Sequence, residues 1–217
     1  MAVESSSGHW VHRYLLVLRF ALLNIVAVGL LAAVYLQGWL DDALHGYTAW
    51  LTLGICAVFV FGLLLCARRI WRTNVELNAV AKIEPPGMSR AGIYLAGIAG
   101  RSAESRSINA NLLYNRLRNP IAVVRQTADS LVFLGLVGTV IGFIVALSGV
   151  DPQTSAQIDE VASMVATLVA GMSIALYTTL VGAVLHVWLM VNHRLLATGT
   201  SNLFNAIVER GEQCVGV

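Results

Sequence analysis

The chain has 217 residues, of which 57% are hydrophobic and 12% charged, with a formal net charge of +2. A soluble domain carries about a quarter charged residues, so this composition excludes an ordinary water-soluble globule. No basic block interleaved with aromatic residues occurs, which argues against a nucleic-acid partner.

The charge deficit comes from four long apolar stretches. A helix crossing hydrocarbon needs about 20 residues. The first candidate span covers residues 14–37, with Arg19 placed to snorkel to the interface and Asn24 deeper, facing protein. It is longer than the apolar core of a cleaved signal peptide and is followed at once by a second span, 49–67. The third covers 130–150. The fourth opens near Val161 and carries no formal charge until Arg194, so it tilts or runs on beyond the lipid. Continuous apolar runs of this length imply helices, because only helices and closed barrels satisfy the backbone in lipid. The fold class expected is all-α, a polytopic membrane protein of four transmembrane helices.

Orientation follows from charge. The link 38–47 carries Asp41 and Asp42, and the link after the third span carries Asp151, Asp159 and Glu160; neither contains Lys or Arg. Arg13, Arg68, Arg69, Arg72, Arg118, Arg125 and Arg194 flank the opposite ends. The positive-inside rule then puts both termini in the cytoplasm of an inner-membrane protein.

Four regions are expected: residues 1–67 with two outer spans, a cytoplasmic helical segment 68–129, two pore-side spans over 130–192, and a C-terminal helix or tail, 193–217. The Pro-Pro-Gly run at 85–87 breaks a helix. The glycine-rich stretch 92–100 lacks the spacing and lysine of a phosphate loop. Leu112, Leu113, Leu117, Ile121, Val124 and Ala128 recur at helical spacing, which predicts a rod, kinked at Pro120, that leads straight into the third span; the alternative is a short loop at 118–121 between two helices. Leu195, Leu196, Leu203, Phe204, Ile207 and Val208 recur similarly in the tail. This cytoplasmic region is too small for an ATPase domain. No paired carboxylates, nucleophile–base set or metal-ligand spacing appears, and Cys56, Cys66 and Cys214 form no metal or disulfide framework. Neither an enzyme nor a cofactor is expected.

The third and fourth spans differ from the first two in their small residues. Gly135, Gly138, Gly142, Gly171, Ala175 and Gly182 stand at helical spacings that let backbones approach closely. Their polar residues are hydroxyls: Thr139, Thr167, Ser173, Thr178 and Thr179. Spacing puts Thr139 with Gly135 and Gly142, and Thr179 with Met172, Ala175 and Ala183. Each hydroxyl can simply bond its own helix, or the cluster can line a narrow wet path or a partner helix. No Asp, Glu, Lys or Arg lies in the middle of any span, so proton transport would need a carboxylate from another chain. His186 reads as an interface histidine.

LGLVGTVIGFIVAL, residues 134–147, resembles the first pore-side helix of the MotA/TolQ/ExbB proton-channel family, and GMSIALYTTLVGA, residues 171–183, resembles the second. The resemblance implies a homo-oligomeric ring, generally a pentamer, around two copies of a single-span partner of the MotB/TolR/ExbD type that brings a membrane Asp. Protons are the implied ion and lipid the surroundings. By position, Thr139 and Thr179 match the family's threonines and would face the partner, with Thr178 and Thr167 beside the path. The glycines would serve helix packing. The chain departs from ExbB and TolQ at Ile174, where they carry Glu, and at Trp188, where they carry Pro. The four-span layout is similar to the flagellar-stator branch, with a shorter cytoplasmic region. The alternative is a non-conducting scaffold of the same fold.

Overall fold

The computed structural model describes residues 8–36, 49–80, 92–94, 97, 103–149 and 158–215, without the side chains nearest several of these ends. The acidic residues Asp41, Asp42 and Asp151 and the break at 85–87 lie outside the described residues. Four long helices carry the fold: α1 (Gly8–Leu36), α2 (Ala49–Val80), α3 (Ala103–Ser148) and α4 (Ile158–Val215). Each is long and apolar enough to cross a membrane.

The lengths separate two pairs. At about 1.5 Å per residue, the 29 residues of α1 and 32 of α2 need little more than a bilayer. The 46 residues of α3 and 58 of α4 reach about 69 and 87 Å, far beyond a hydrocarbon core of about 30 Å. Both are continuous rods that leave the lipid. Pro120 sits inside unbroken α3, so there is no loop at 118–121. Its ring removes one backbone donor without ending the helix.

Two compact units share these helices, and each is built differently. The first comprises Met1–Val26, Leu63–Arg125 and Val191–Val217. Its core cluster is Tyr94, Leu113, Leu117, Leu203 and Ile207, flanked by Leu77, Ala110 and Phe204. Residues three, four and seven apart lie on one helix face, so Leu113, Leu117, Ile121 and Val124 form one buried stripe, and Leu196, Leu203 and Ile207 another. Leu112, one step off the stripe, is exposed. Tyr114 and Phe204 meet edge to face at 5.4 Å. Each fully buried Leu or Ile contributes about 1.5–3 kcal/mol through area removed from water. In the same unit α1 touches α4: Asn24 Nδ2 donates to Asn192 Oδ1 at 2.9 Å and to its own preceding-turn carbonyl, Phe20 O, at 2.8 Å. Asn192 is fully buried. No residue in the apolar window 16–33 of α1 is fully buried; besides this polar pair, α1 meets α4 where the Leu16 side chain faces Gly199.

The second unit comprises Ala27–Gly62 and Gln126–Met190. Here α2 buries Leu51, Ile55 and Phe59, one turn apart, and Phe59 packs on Trp188 with ring centroids 4.9 Å apart. Gly62 faces the side chains of Leu189 and Thr127. The remaining faces of α3 and α4 expose large apolar side chains such as Phe133, Ile144, Leu176 and Val187. For an ordinary soluble protein that surface would be a liability; for a chain in lipid it is the solvent-facing side.

Candidate functional site

The site is built where α3 and α4 meet in the second unit. A Cβ added at Gly142 would lie 2.6 Å from the Ala175 nitrogen and 2.7 Å from the Gly171 carbonyl oxygen. One added at Gly171 would run into the Ala146 backbone, and one at Gly182 would lie 2.8 Å from the Leu131 carbonyl oxygen. These neighbours are main chain and cannot rotate away. A Cβ added at Gly135 would lie 3.3 Å from Thr179 Cα, and Gly138 faces the side chain of Thr178. Backbone against backbone is how helices gain dispersion where lipid offers no hydrophobic drive.

This close packing sorts the hydroxyls. Thr178 is buried and donates within its own helix, to Ile174 O at 3.0 Å and Ala175 O at 3.1 Å. Thr167 donates to Ser163 O at 3.1 Å and packs toward Gly149; Ser173 donates to Val169 O at 2.9 Å. Thr139 is half-buried and donates to Leu136 O at 2.6 Å. Thr179 is exposed, and its hydroxyl crosses to the other helix, donating to Gly135 O at 3.2 Å. Gly135 lies one turn before Thr139 on α3, so Thr139 shares the edge of α3 that the Thr179 hydroxyl reaches. Exposed Leu136, Phe143 and Met172 border that edge. His186 Nδ1 lies 2.8 Å from Ala128 O, which ties the imidazole to the backbone of α3.

Asn192 is the polar residue that spacing did not single out. Its signal was an amide in the uncharged stretch before Arg194, two residues away. Among the described residues, no group of three His, Cys, Asp or Glu is placed to hold a metal ion.

Four apolar helices, two of them long rods joined backbone to backbone with threonines at the edge of the joint, define a polytopic all-α membrane protein of the channel type. Residues 101–209, spanning both rods, match the MotA/TolQ/ExbB proton channel family. That match covers half of the chain, and the chain belongs to this family, whose members are channel components and not enzymes. No curated protein and no solved structure matches the chain.

Proposed function

We propose that this chain is the ring-forming subunit of a proton-motive-force-driven unit in a bacterial inner membrane, with both termini cytoplasmic. Copies of the chain, five in the simplest reading of its family, enclose two single-span partner helices of the MotB/TolR/ExbD type. Proton flow then moves ring and partner relative to one another. The observation that supports this reading is the Thr179 hydroxyl bonded across the joint to Gly135 O, with Thr139 one turn further along the same face of α3. That edge presents hydroxyls beside a tightly closed helix joint, in spans that hold no carboxylate of their own between 130 and 150 or between 161 and 193.

A threonine that both donates to Gly135 O and accepts from outside suits relay to a carboxylic acid on another chain. The drive is the membrane potential, about 2.3 kcal/mol per elementary charge per 100 mV. Buried Thr178 and half-buried Thr167 support the joint, and Thr179 and Thr139 face the partner. The test is proton flux in vesicles holding the ring and a single-span partner with a membrane Asp. Thr179→Val, which keeps shape and removes the hydroxyl, lowers flux while ring size stays unchanged. Wild-type flux in that variant removes Thr179 from the path. An absence of partner-dependent flux in the unaltered complex makes the assembly a scaffold.

A further inference from the structure

The face of α4 that carries Thr179 continues to a titratable side chain. His186 follows Thr179 by seven residues, two turns and about 10.5 Å along the axis, with exposed Ala183 between them. The same interval separates their partners on α3: Thr179 reaches Gly135 O at 3.2 Å, and His186 Nδ1 lies 2.8 Å from Ala128 O. Gly142, Gly135 and Ala128 meet Ala175, Thr179 and His186 in turn, so the two rods run antiparallel. Cross-bonds seven residues apart on both helices lie along one edge of the joint. We propose that His186 is a proton-carrying residue of the same path, on the arginine-bearing side of the threonines. This step rests on the proton conduction proposed above.

The bond to α3 decides which nitrogen carries the proton. A backbone carbonyl can only accept, so Nδ1 is the N–H nitrogen. In the neutral ring Nε2 then keeps its lone pair. A proton arriving through water from the partner's carboxylic acid forms the Nε2–H bond as the O–H bond breaks, and the ring becomes imidazolium. Nδ1–H stays on Ala128 O throughout, and the charge strengthens that bond. Release from Nε2 to water restores the neutral ring. Threonine hydroxyls can pass a proton along without holding it, whereas imidazole is the side chain that ordinarily changes charge between about pH 5 and 8. The ring is half-buried, fixed at one nitrogen and open to water at the other.

The charged groups around it divide by helix. On α3, Asp129 follows Ala128 directly and Arg125 stands three residues before it. On α4, His193 and Arg194 come seven and eight residues after His186. The stretches 20–36 of α1 and 49–67 of α2 bring no charge. Asp129 is therefore the carboxylate that competes for the role.

The experiment measures proton flux against pH on the arginine-bearing side, in vesicles holding the ring and a single-span partner with a membrane Asp. His186→Gln keeps an N–H for Ala128 O and cannot take a proton. It lowers flux about tenfold or more and flattens the pH profile, with ring size unchanged. Wild-type flux in this variant overturns the proposal, and low flux in His186→Leu alone then makes the residue a structural pin. A profile that persists in His186→Gln and moves in Asp129→Asn also overturns it. An unaltered complex without partner-dependent flux fails the wider proton-path reading before any histidine is changed, and this step with it. Nitrogen-15 NMR of the histidine-labelled full chain is independent of conduction. The resonances missing from His186→Gln should show a neutral ring protonated at Nδ1, with Nε2 gaining a proton as pH falls. A neutral ring protonated at Nε2 removes the accepting atom and overturns the proposal.

Discussion

In the second unit α3 and α4 meet through glycine, alanine and threonine; in the first unit the same two helices contribute leucine, isoleucine and phenylalanine to a shared cluster. The contrast follows the solvent. Lipid tails are as apolar as leucine, so nothing is gained there by hiding one leucine against another, and the helices associate by bringing backbones together. A cluster of interdigitated leucine, isoleucine and phenylalanine is instead stabilised by apolar area removed from water, as expected of helix lengths that outrun a bilayer. One pair of rods thus uses two kinds of glue along its length. The close backbone approach at Gly135, Gly142, Gly171 and Gly182 leaves no room for larger side chains between the two helices.

The contrast can be broken by exchanging the two chemistries. The largest effect is expected in the leucine cluster: Leu203→Ala, at a site about 1% exposed, costs about 2–5 kcal/mol and is read by denaturant or thermal unfolding in detergent. At the glycine joint the opposite change is harmful. Gly142→Ala adds one carbon against main chain and costs about 1–3 kcal/mol in the same measurement. Gly29→Ala, with nothing within 4 Å of the added carbon, is neutral or slightly stabilising, since glycine is the poorer helix former. Equal effects at Gly142 and Gly29 would show that close approach at Gly142 does not hold α3 against α4. Smaller again is the polar tether. Asn192→Leu removes the acceptor for Asn24 and costs about 0.6–1.7 kcal/mol, the range for hydrogen bonds between membrane helices.

The four spans were legible because length and apolarity are properties of composition, and hydrocarbon thickness sets the threshold. Family membership was legible from two short stretches, 134–147 and 171–183. Finer placement was not. Thr178 and Thr179 are neighbours in sequence, and spacing alone placed both in one hydroxyl cluster. A helix turns about 100° per residue, so one step separates a buried side chain packed at Gly138 from an exposed one reaching Gly135. Which of the two is buried depends on where the neighbouring helix lies, and a single chain's periodicity does not contain that. Asn24 was recognised as a polar residue too deep to face lipid. Its partner, 168 residues away, became visible only in the fold. Pro120 was legible as a kink in a rod running straight into the third span, as found, with a loop at 118–121 only the alternative; packing on both sides decides whether a helix tolerates the lost donor.

The smallest expected effect lies at the surface of the first unit. Arg106 Nη1 and Glu212 Oε2 are 3.1 Å apart, with the glutamate more than half exposed, so breaking the pair costs no more than about 1 kcal/mol. Its sharper readout is Tyr94. Burial pushes this phenol above its ordinary value, Glu212 adds to the rise, and Arg106 opposes it. The folded state therefore prefers the protonated phenol. That contribution to stability is complete below the ordinary tyrosine range and is lost as pH climbs through the raised value. Glu212→Gln should lower the Tyr94 titration midpoint and Arg106→Gln should raise it, measured as tyrosinate absorbance relative to Tyr94→Phe. Because breaking the salt bridge alone is common to both variants, only opposite movements place both charges close enough to act on the phenol. Movements in the same direction would mean that the substitutions loosen the leucine cluster around Tyr94, and that its titration reports packing instead of charge.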